Sequence, residues 1–201
     1  MTRILVFDMG GVLYDFEGEG LITRHSRRQR RWRSDEVHAL WAKLVHGFET
    51  GACGETEFAE AIVRGFDLTL SPGEFLIEFR EAARGFYDGA LSLLRELSAK
   101  HRLLSLSNTN AVQWPRLLER LGSEDPFHAH HPSHVSGFHK PDPRAFQAVL
   151  ERHTAASEFY FFDDRKQNVA AASALGWRGR HVRGTAETRQ ACIELGLLNS
   201  D

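Results

Sequence analysis

The sequence predicts an α/β protein built on a parallel sheet, with a helical segment inserted after its first strand. Three observations predict it. Short apolar runs, "ILVF", "LLSL" and "FYFF", each stop at polar residues: Asp8, then Ser107 and Asn108, then Asp163 and Asp164. Between these runs lie stretches whose apolar residues recur every three or four positions, the spacing of helices packed on a sheet. Residues 16–87 lack that alternation and read as helices alone. Strands and helices in alternation form a parallel sheet with helices on its faces.

In order along the chain, "ILVF" is the first strand. The inserted segment then offers three helical stretches, "SDEVHALWAKLVHGFETG", "ETEFAEAIVRGF" and "SPGEFLIEFREAARGF". The last carries its own start signal, with Ser71 as N-cap, Pro72 in the first turn and Glu74 closing a capping box. This divides the chain into a core of residues 1–15 and 88–201 and a helical cap of residues 16–87. Helices follow in "ALSLLRELSAK", "VQWPRLLERLG", "PRAFQAVLERH" and "NVAAASALG", with Trp114 and Pro115 as a packing and helix-start pair. A weaker apolar run, "GRHV", ends at Val182.

With 201 residues the chain suits one domain carrying an insertion. Lys and Arg number 25 against 27 Asp and Glu, so the net charge of -2 supplies no general attraction to nucleic acid or an anionic membrane. No apolar stretch approaches the roughly 18 residues of a membrane span. Cys53 and Cys192 form neither a disulfide framework nor a metal-ligand spacing, and both read as reduced thiols. The expectation is a soluble, cytoplasmic protein with no nucleic-acid or membrane partner, and nothing in the sequence sets an oligomeric state. The one basic run, "RHSRRQRRWR" from Arg24 to Arg33, reads as a solvated face of the cap, with one or two arginines steering anions toward the crevice as an intermediate reading. His128, His130, His131, His134 and His139 fall in "FHAHHPSHVSGFHK", where a strand would point alternate residues to opposite faces, against a dedicated zinc site.

Ligands of such sheets bind beyond the carboxyl ends of the strands, near the switch in strand order. A single Asp or Ser there is commonly a helix N-cap. Three clusters falling at the same end point instead to one site. Asp8, Asp163 and Asp164 put carboxylates in one pocket, and like charges so close need a cation, for which a hard divalent ion such as Mg²⁺ with oxygen ligands is suited. Lys140, in "SGFHKPD", supplies a compact positive charge. Ser107 and Asn108 supply a hydroxyl, an amide and backbone donors. Together these groups suit a phosphoryl group.

These motifs resemble the haloacid dehalogenase-like hydrolases. "FDMGGVLYD" is similar to that family's first motif, "LSNTN" to its second, Lys140 of "HKPDP" to its third and "FFDDRKQN" to its fourth, over nearly the whole chain. The likeness is nearest to the bacterial branch that contains α-D-glucose-1-phosphate phosphatase. It implies a Rossmann-like core, Asp8 as the nucleophile that forms an aspartyl-phosphate, and Ser107 and Asn108 on phosphoryl oxygens. It further implies Lys140 balancing charge, and Mg²⁺ held by Asp8, the Gly10 carbonyl and Asp164, with Asp163 binding directly or through water. Asn168 would orient this shell.

One position departs from the pattern. Many family phosphatases carry, two residues after the nucleophile, an Asp that protonates the leaving group, and here that residue is Gly10. The acid must come from elsewhere or be missing. His139, a group of the cap and a group of the substrate are the candidates, while Asp15 reads as structural. The resulting expectation is a Mg²⁺-dependent phosphatase acting on a small phosphorylated metabolite, a sugar phosphate being one candidate. A haloacid dehalogenase is the rival enzyme, disfavoured by the Asp163 and Asp164 pair. A weakly catalytic binding or regulatory protein on the same fold is kept open by Gly10.

Overall fold

The computed structural model describes residues 3–16, 18–27, 33–156 and 158–199. In chain order these form β1 (Arg3–Phe7), β2 (Tyr14–Phe16), α1 (Gly18–His25), α2 (Ser34–Glu49), α3 (Glu55–Phe66), α4 (Pro72–Glu81) and β3 (Ala83–Phe86). There follow α5 (Ala90–Ser98), β4 (Arg102–Ser107), α6 (Trp114–Leu121), β5 (Ala129–Pro132), α7 (Ser133–Ser136), α8 (Pro143–Arg152), β6 (Glu158–Asp163), α9 (Lys166–Ala174), β7 (Arg178–His181) and α10 (Gly184–Glu194).

Five strands pair in parallel in the order β5-β4-β1-β6-β7, giving the Rossmann-like sheet. The chain winds outward from β1 in both directions, so the switch in strand order falls beside β1 itself. Strand β1 is apolar throughout its buried length because both its faces are covered. Leu5 and Phe7 pack with Leu93, Leu94 and Leu97 of α5 and with Leu117 of α6. Ile4 and Val6 face the other way, onto Phe146 and Val149 of α8 and Ala172 of α9.

The inserted segment corrects one expectation. Residues 16–87 are not helical throughout, because β2 and β3 pair antiparallel as a two-stranded ribbon at the entry to and exit from the four helices. The stretch read as one helix from Ser71 to Phe86 ends at Glu81. Beyond it Gly85 takes φ 125°, closed to L side chains, and a Cβ there would stand 2.5 Å from Arg120 Nη1. Arg120 in turn donates to the carbonyls of Ala83 (3.0 Å) and Arg84 (2.9 Å), locking β3 to the core. The start of α4 follows the sequence reading: Ser71 Oγ accepts from the Glu74 amide and Glu74 returns the bond to the Ser71 amide.

Helices α1 to α4 gather a separate apolar cluster of Trp41, Val45, Phe48, Phe58, Ile62, Phe66, Phe75 and Phe79. From the basic run, Arg27 pairs with Asp67 and Arg33 with Asp35, while Arg28, Arg30, Arg31 and Trp32 lie outside the described residues. The histidines of the third-motif segment take different partners. His130 sits between Ser105 and Asp125, His131 faces His153, and His128 accepts from the Leu103 amide. Among the described residues no helix is long and apolar enough to cross a membrane.

Candidate active site

The carboxyl ends of β1, β4 and β6 meet at one cavity of about 460 Å³, closed on its far side by α2 and α4. Strand β1 delivers Asp8, whose amide donates to the Phe162 carbonyl at 2.9 Å and so continues the sheet by one residue. Its Oδ1 accepts from the Met9 amide at 2.7 Å and lies 3.1 Å from Lys140 Nζ. Lys140 is 1% exposed and reaches on to Asp163 Oδ2 at 2.7 Å. Asp163 has no exposure at all and is further held by the Arg165 amide (2.8 Å) and by Asn168 Nδ2 on both oxygens (2.9 and 3.1 Å).

Burial in this floor dominates the protonation of Asp8. It pushes the carboxyl from an ordinary 3.8 up to about 7, with Asp163 and Asp164 adding to the rise and Lys140 opposing it. Asp164 is raised as well, first by burial and then by Asp163. For Lys140, burial alone would lower the ammonium, but Asp163 and Asp8 outweigh it and hold it above its usual range.

Oxygens of Asp8, Asp163 and Asp164 lie within 4.8 Å of one another, a spacing that a single metal ion could bridge. Asn168 Oδ1 is buried without a partner, and Asn168 lines the same cavity. An all-oxygen donor set with one carboxamide oxygen unsatisfied fits a hard divalent cation and its water. Asp163 has most of its lone pairs engaged, whereas Asp164 faces the cavity.

The other residues singled out in the sequence separate by function. Asn108 lines the cavity, but its side chain is occupied: Oδ1 accepts from the Lys140 amide (2.8 Å) and Nδ2 donates to the Lys140 carbonyl (2.9 Å). It clamps the backbone that carries the ammonium. Ser107, the last residue of β4, is buried outside the cavity lining. Asp15 lies on the ribbon within 3.4 Å of Arg84. His139 has both ring nitrogens engaged, Nδ1 with Asn108 Nδ2 at 3.1 Å and Nε2 with Glu49 Oε2 at 2.8 Å. The two-point clamp on Lys140 fixes which end of Asn108 is the amide nitrogen. Nδ1 of His139 is therefore the acceptor, and Nε2 carries the proton given to Glu49. His139 thereby ties α2 to the core while also lining the cavity.

Two residues that the sequence reading passed over matter here. Glu49, at the end of α2, binds both His139 and, through its carbonyl, Ser133 Oγ at 2.5 Å. Gly11 takes φ 74°, and a Cβ on it would stand 2.6 Å from Asp164 Oδ2. No single-chain pattern marks a contact across 90 residues like that of Glu49. The repeated glycine after "FDM" was the available signal for Gly11.

A parallel sheet with its switch point at β1 thus carries a buried carboxylate at the end of its central strand, with a lysine between two aspartates. Residues 2–176 match the haloacid dehalogenase-like hydrolase family, and the chain belongs to it. It is 29% identical to a sesquiterpene phosphatase of Aspergillus oryzae over 98% of this chain and 96% of that one. It is 24% identical to a D-ribitol-5-phosphate phosphatase of Bacteroides thetaiotaomicron over the full length of both. Its fold is shared with a family enzyme of Bacteroides thetaiotaomicron solved with magnesium and inorganic phosphate, at a TM-score of 0.72 and 22% identity, covering 90% of this chain and 93% of that one.

Two outcomes follow from this geometry. Gly11→Ala strains a positive-φ residue and drives a methyl group into Asp164, so it should lower stability by about 1–3 kcal/mol. Gly10→Ala, whose Cβ meets no atom within 4 Å, should stay within about 0.5 kcal/mol. Urea midpoints of the two variants give the comparison, and equal midpoints would refute the close approach.

The second outcome concerns pH. Because the folded state holds the Asp8 proton up to about 7 against 3.8 ordinarily, Asp8 contributes stability that is present below pH 4 and lost as the pH climbs through 7. In EDTA, the melting temperature of the wild type relative to Asp8→Asn should therefore decline between pH 4 and 7.5. Parallel pH profiles for the two proteins would contradict the assignment.

Proposed function

We propose that the protein is a Mg²⁺-dependent phosphatase that hydrolyses a small phosphorylated metabolite through an aspartyl-phosphate on Asp8. The observation that carries the reading is the buried Asp8–Lys140–Asp163 triad beside Asp164, a charged floor at the strand ends of a family hydrolase. Relatives named for the phosphatases of a sesquiterpene and of D-ribitol-5-phosphate support it, as does the structural neighbour with magnesium and phosphate. Paired Asp163 and Asp164 favour it over a dehalogenase, whose chemistry needs no cation.

In this reading Asp8 Oδ1 is fixed by Met9 and Lys140, and Oδ2 attacks phosphorus as the bond to the alcohol oxygen breaks. Lys140 holds Asp8 in line and offsets charge gathering on the phosphoryl oxygens. Mg²⁺, held by Asp8, Asp164 and the Gly10 carbonyl, would supply further neutralisation of the phosphoryl charge. Asp163 would keep Lys140 in place, with Asn168 reaching the metal's shell through its free oxygen. Water then attacks the phosphorus of the acyl phosphate, freeing Asp8 and inorganic phosphate. Helices α1 to α4 serve as the cap, latched by Glu49 to His139.

Asp8→Asn should lower turnover of phosphate esters by at least about 10⁴-fold while leaving the fold intact, and acid-quench mass spectrometry should find phosphate on Asp8. EDTA should stop the reaction and Mg²⁺ restore it, with Asp164→Ala raising the Mg²⁺ concentration required. Phosphate on another residue, or metal-independent turnover of haloacids, would defeat the reading.

With no carboxyl at position 10, expulsion of the alcohol is the hard step, and it eases as leaving-group pKa falls. Aryl phosphates should outrun alkyl phosphates of similar size. Gly10→Asp should flatten that dependence by restoring a proton donor worth about 10²–10⁴ in rate toward poor leaving groups. The measurement is kcat/KM over esters of graded leaving-group pKa. A flat wild-type plot, with chemistry rate-limiting, would place an acid already in the site.

A further inference from the structure

The cavity has two unlike sides. Its floor is the charged cluster described above, while the side formed by the ribbon and cap is aromatic and aliphatic: Phe16 from β2, Trp41, Ala42 and Val45 from α2, and Phe79 from α4. Positions 38, 41, 42, 45 and 49 share one face of α2, so the helix presents apolar residues in the middle and His38 and Glu49 at its ends. Three of the polar side chains around that wall are engaged elsewhere in the protein, while Tyr87 and His38 also line the cavity. Glu49 accepts from His139, Asp15 faces Arg84, and Gln113 accepts from Asn110 and donates to the Phe79 carbonyl at 3.4 Å. Among the described residues no lysine or arginine lines the cap side, and Arg165, on the core side, is the one guanidinium that lines the cavity.

Resting on the phosphatase reading, we infer that the substrate is a phosphate monoester of an apolar alcohol, aliphatic or aromatic, with no second anionic group. A hydrocarbon body on Phe16, Trp41, Val45 and Phe79 leaves water for apolar side chains. A polyol would lose its hydrogen bonds to water there and gain few. A second phosphate or carboxylate would meet the carboxylates of the floor, and among the described residues no cap cation lines the cavity to receive it.

The test is kcat/KM for the Mg²⁺-loaded enzyme on straight-chain alkyl monophosphates from ethyl to decyl, with glycerol phosphate and a sugar bisphosphate beside them. Alkanol leaving groups differ little in pKa, so chain length isolates contact with the wall from leaving-group chemistry. The expected result is a rise of about threefold per methylene until the cavity is filled, with both polar esters below alkyl esters of similar size. Ala42→Asp, an exposed position on the wall, should flatten that rise, and it avoids the folding risk of Trp41→Ala. Turnover that is flat or falling with chain length, or polar esters that match the long alkyl ones, would overturn the inference while leaving the phosphatase standing. Absence of turnover on every ester, with para-nitrophenyl phosphate also inert, would overturn the phosphatase reading and this inference with it.

Discussion

A single buried ammonium organises the carboxyl end of the sheet. Lys140 has a side chain wholly out of water, and an unpaired charge in that position would cost several kcal/mol. Asp8 and Asp163 flank it at 3.1 and 2.7 Å, which requires β1 and β6 to end side by side. The parallel register that pairs Phe7 with Phe162 supplies this. Asp163 in turn needs donors, and the start of α9 gives it the Arg165 amide and Asn168. The backbone of Lys140 is placed by Asn108 at the end of β4. Three strand ends are thus fixed relative to one another by one charge and its partners.

Much of this floor could be read from the chain because each part of it is local. An apolar run that stops at a polar residue marks a strand end, and Asp8, Asn108 and Asp163 all lie at such ends. Ser71 and Glu74 announced their helix for the same reason, a capping box being complete within four residues. The roles that escaped notice are those set by long-range pairing. The side chain of Asn108 reads as open to a ligand, whereas it is engaged by the Lys140 backbone 32 residues away. Strand β3 was hidden because "ARGF" gains its extended form from β2 and Arg120, not from its own propensity. Helix α10 carries buried Thr188, Ala191 and Cys192, small or polar residues that mark no apolar face.

The cap adds a second environment to the first. Its aromatic cluster, in which Trp41 packs against Phe58, Phe66 and Phe79, is an independent core whose edge becomes the wall of the cavity. The Glu49 to His139 bond and the Glu49 carbonyl to Ser133 bond hold that edge over the floor. A low-polarity wall beside a charged floor strengthens the attraction between Lys140 and any anion brought between them. The same wall raises the penalty for any further charge left unpaired.

That penalty gives a physical reason for the glycine at position 10. Space does not explain it, because a Cβ there would touch nothing within 4 Å. Charge does. In the proposed reaction Asp8 must be ionised to attack, yet burial, Asp163 and Asp164 already raise it to about 7 against the pull of Lys140. A further carboxylate beside Asp8 would push it toward its protonated form whenever the new group was itself ionised. Removing the acid therefore favours the nucleophile at the expense of leaving-group protonation. In the absence of a cation, the two demands on position 10 oppose each other through the protonation of Asp8.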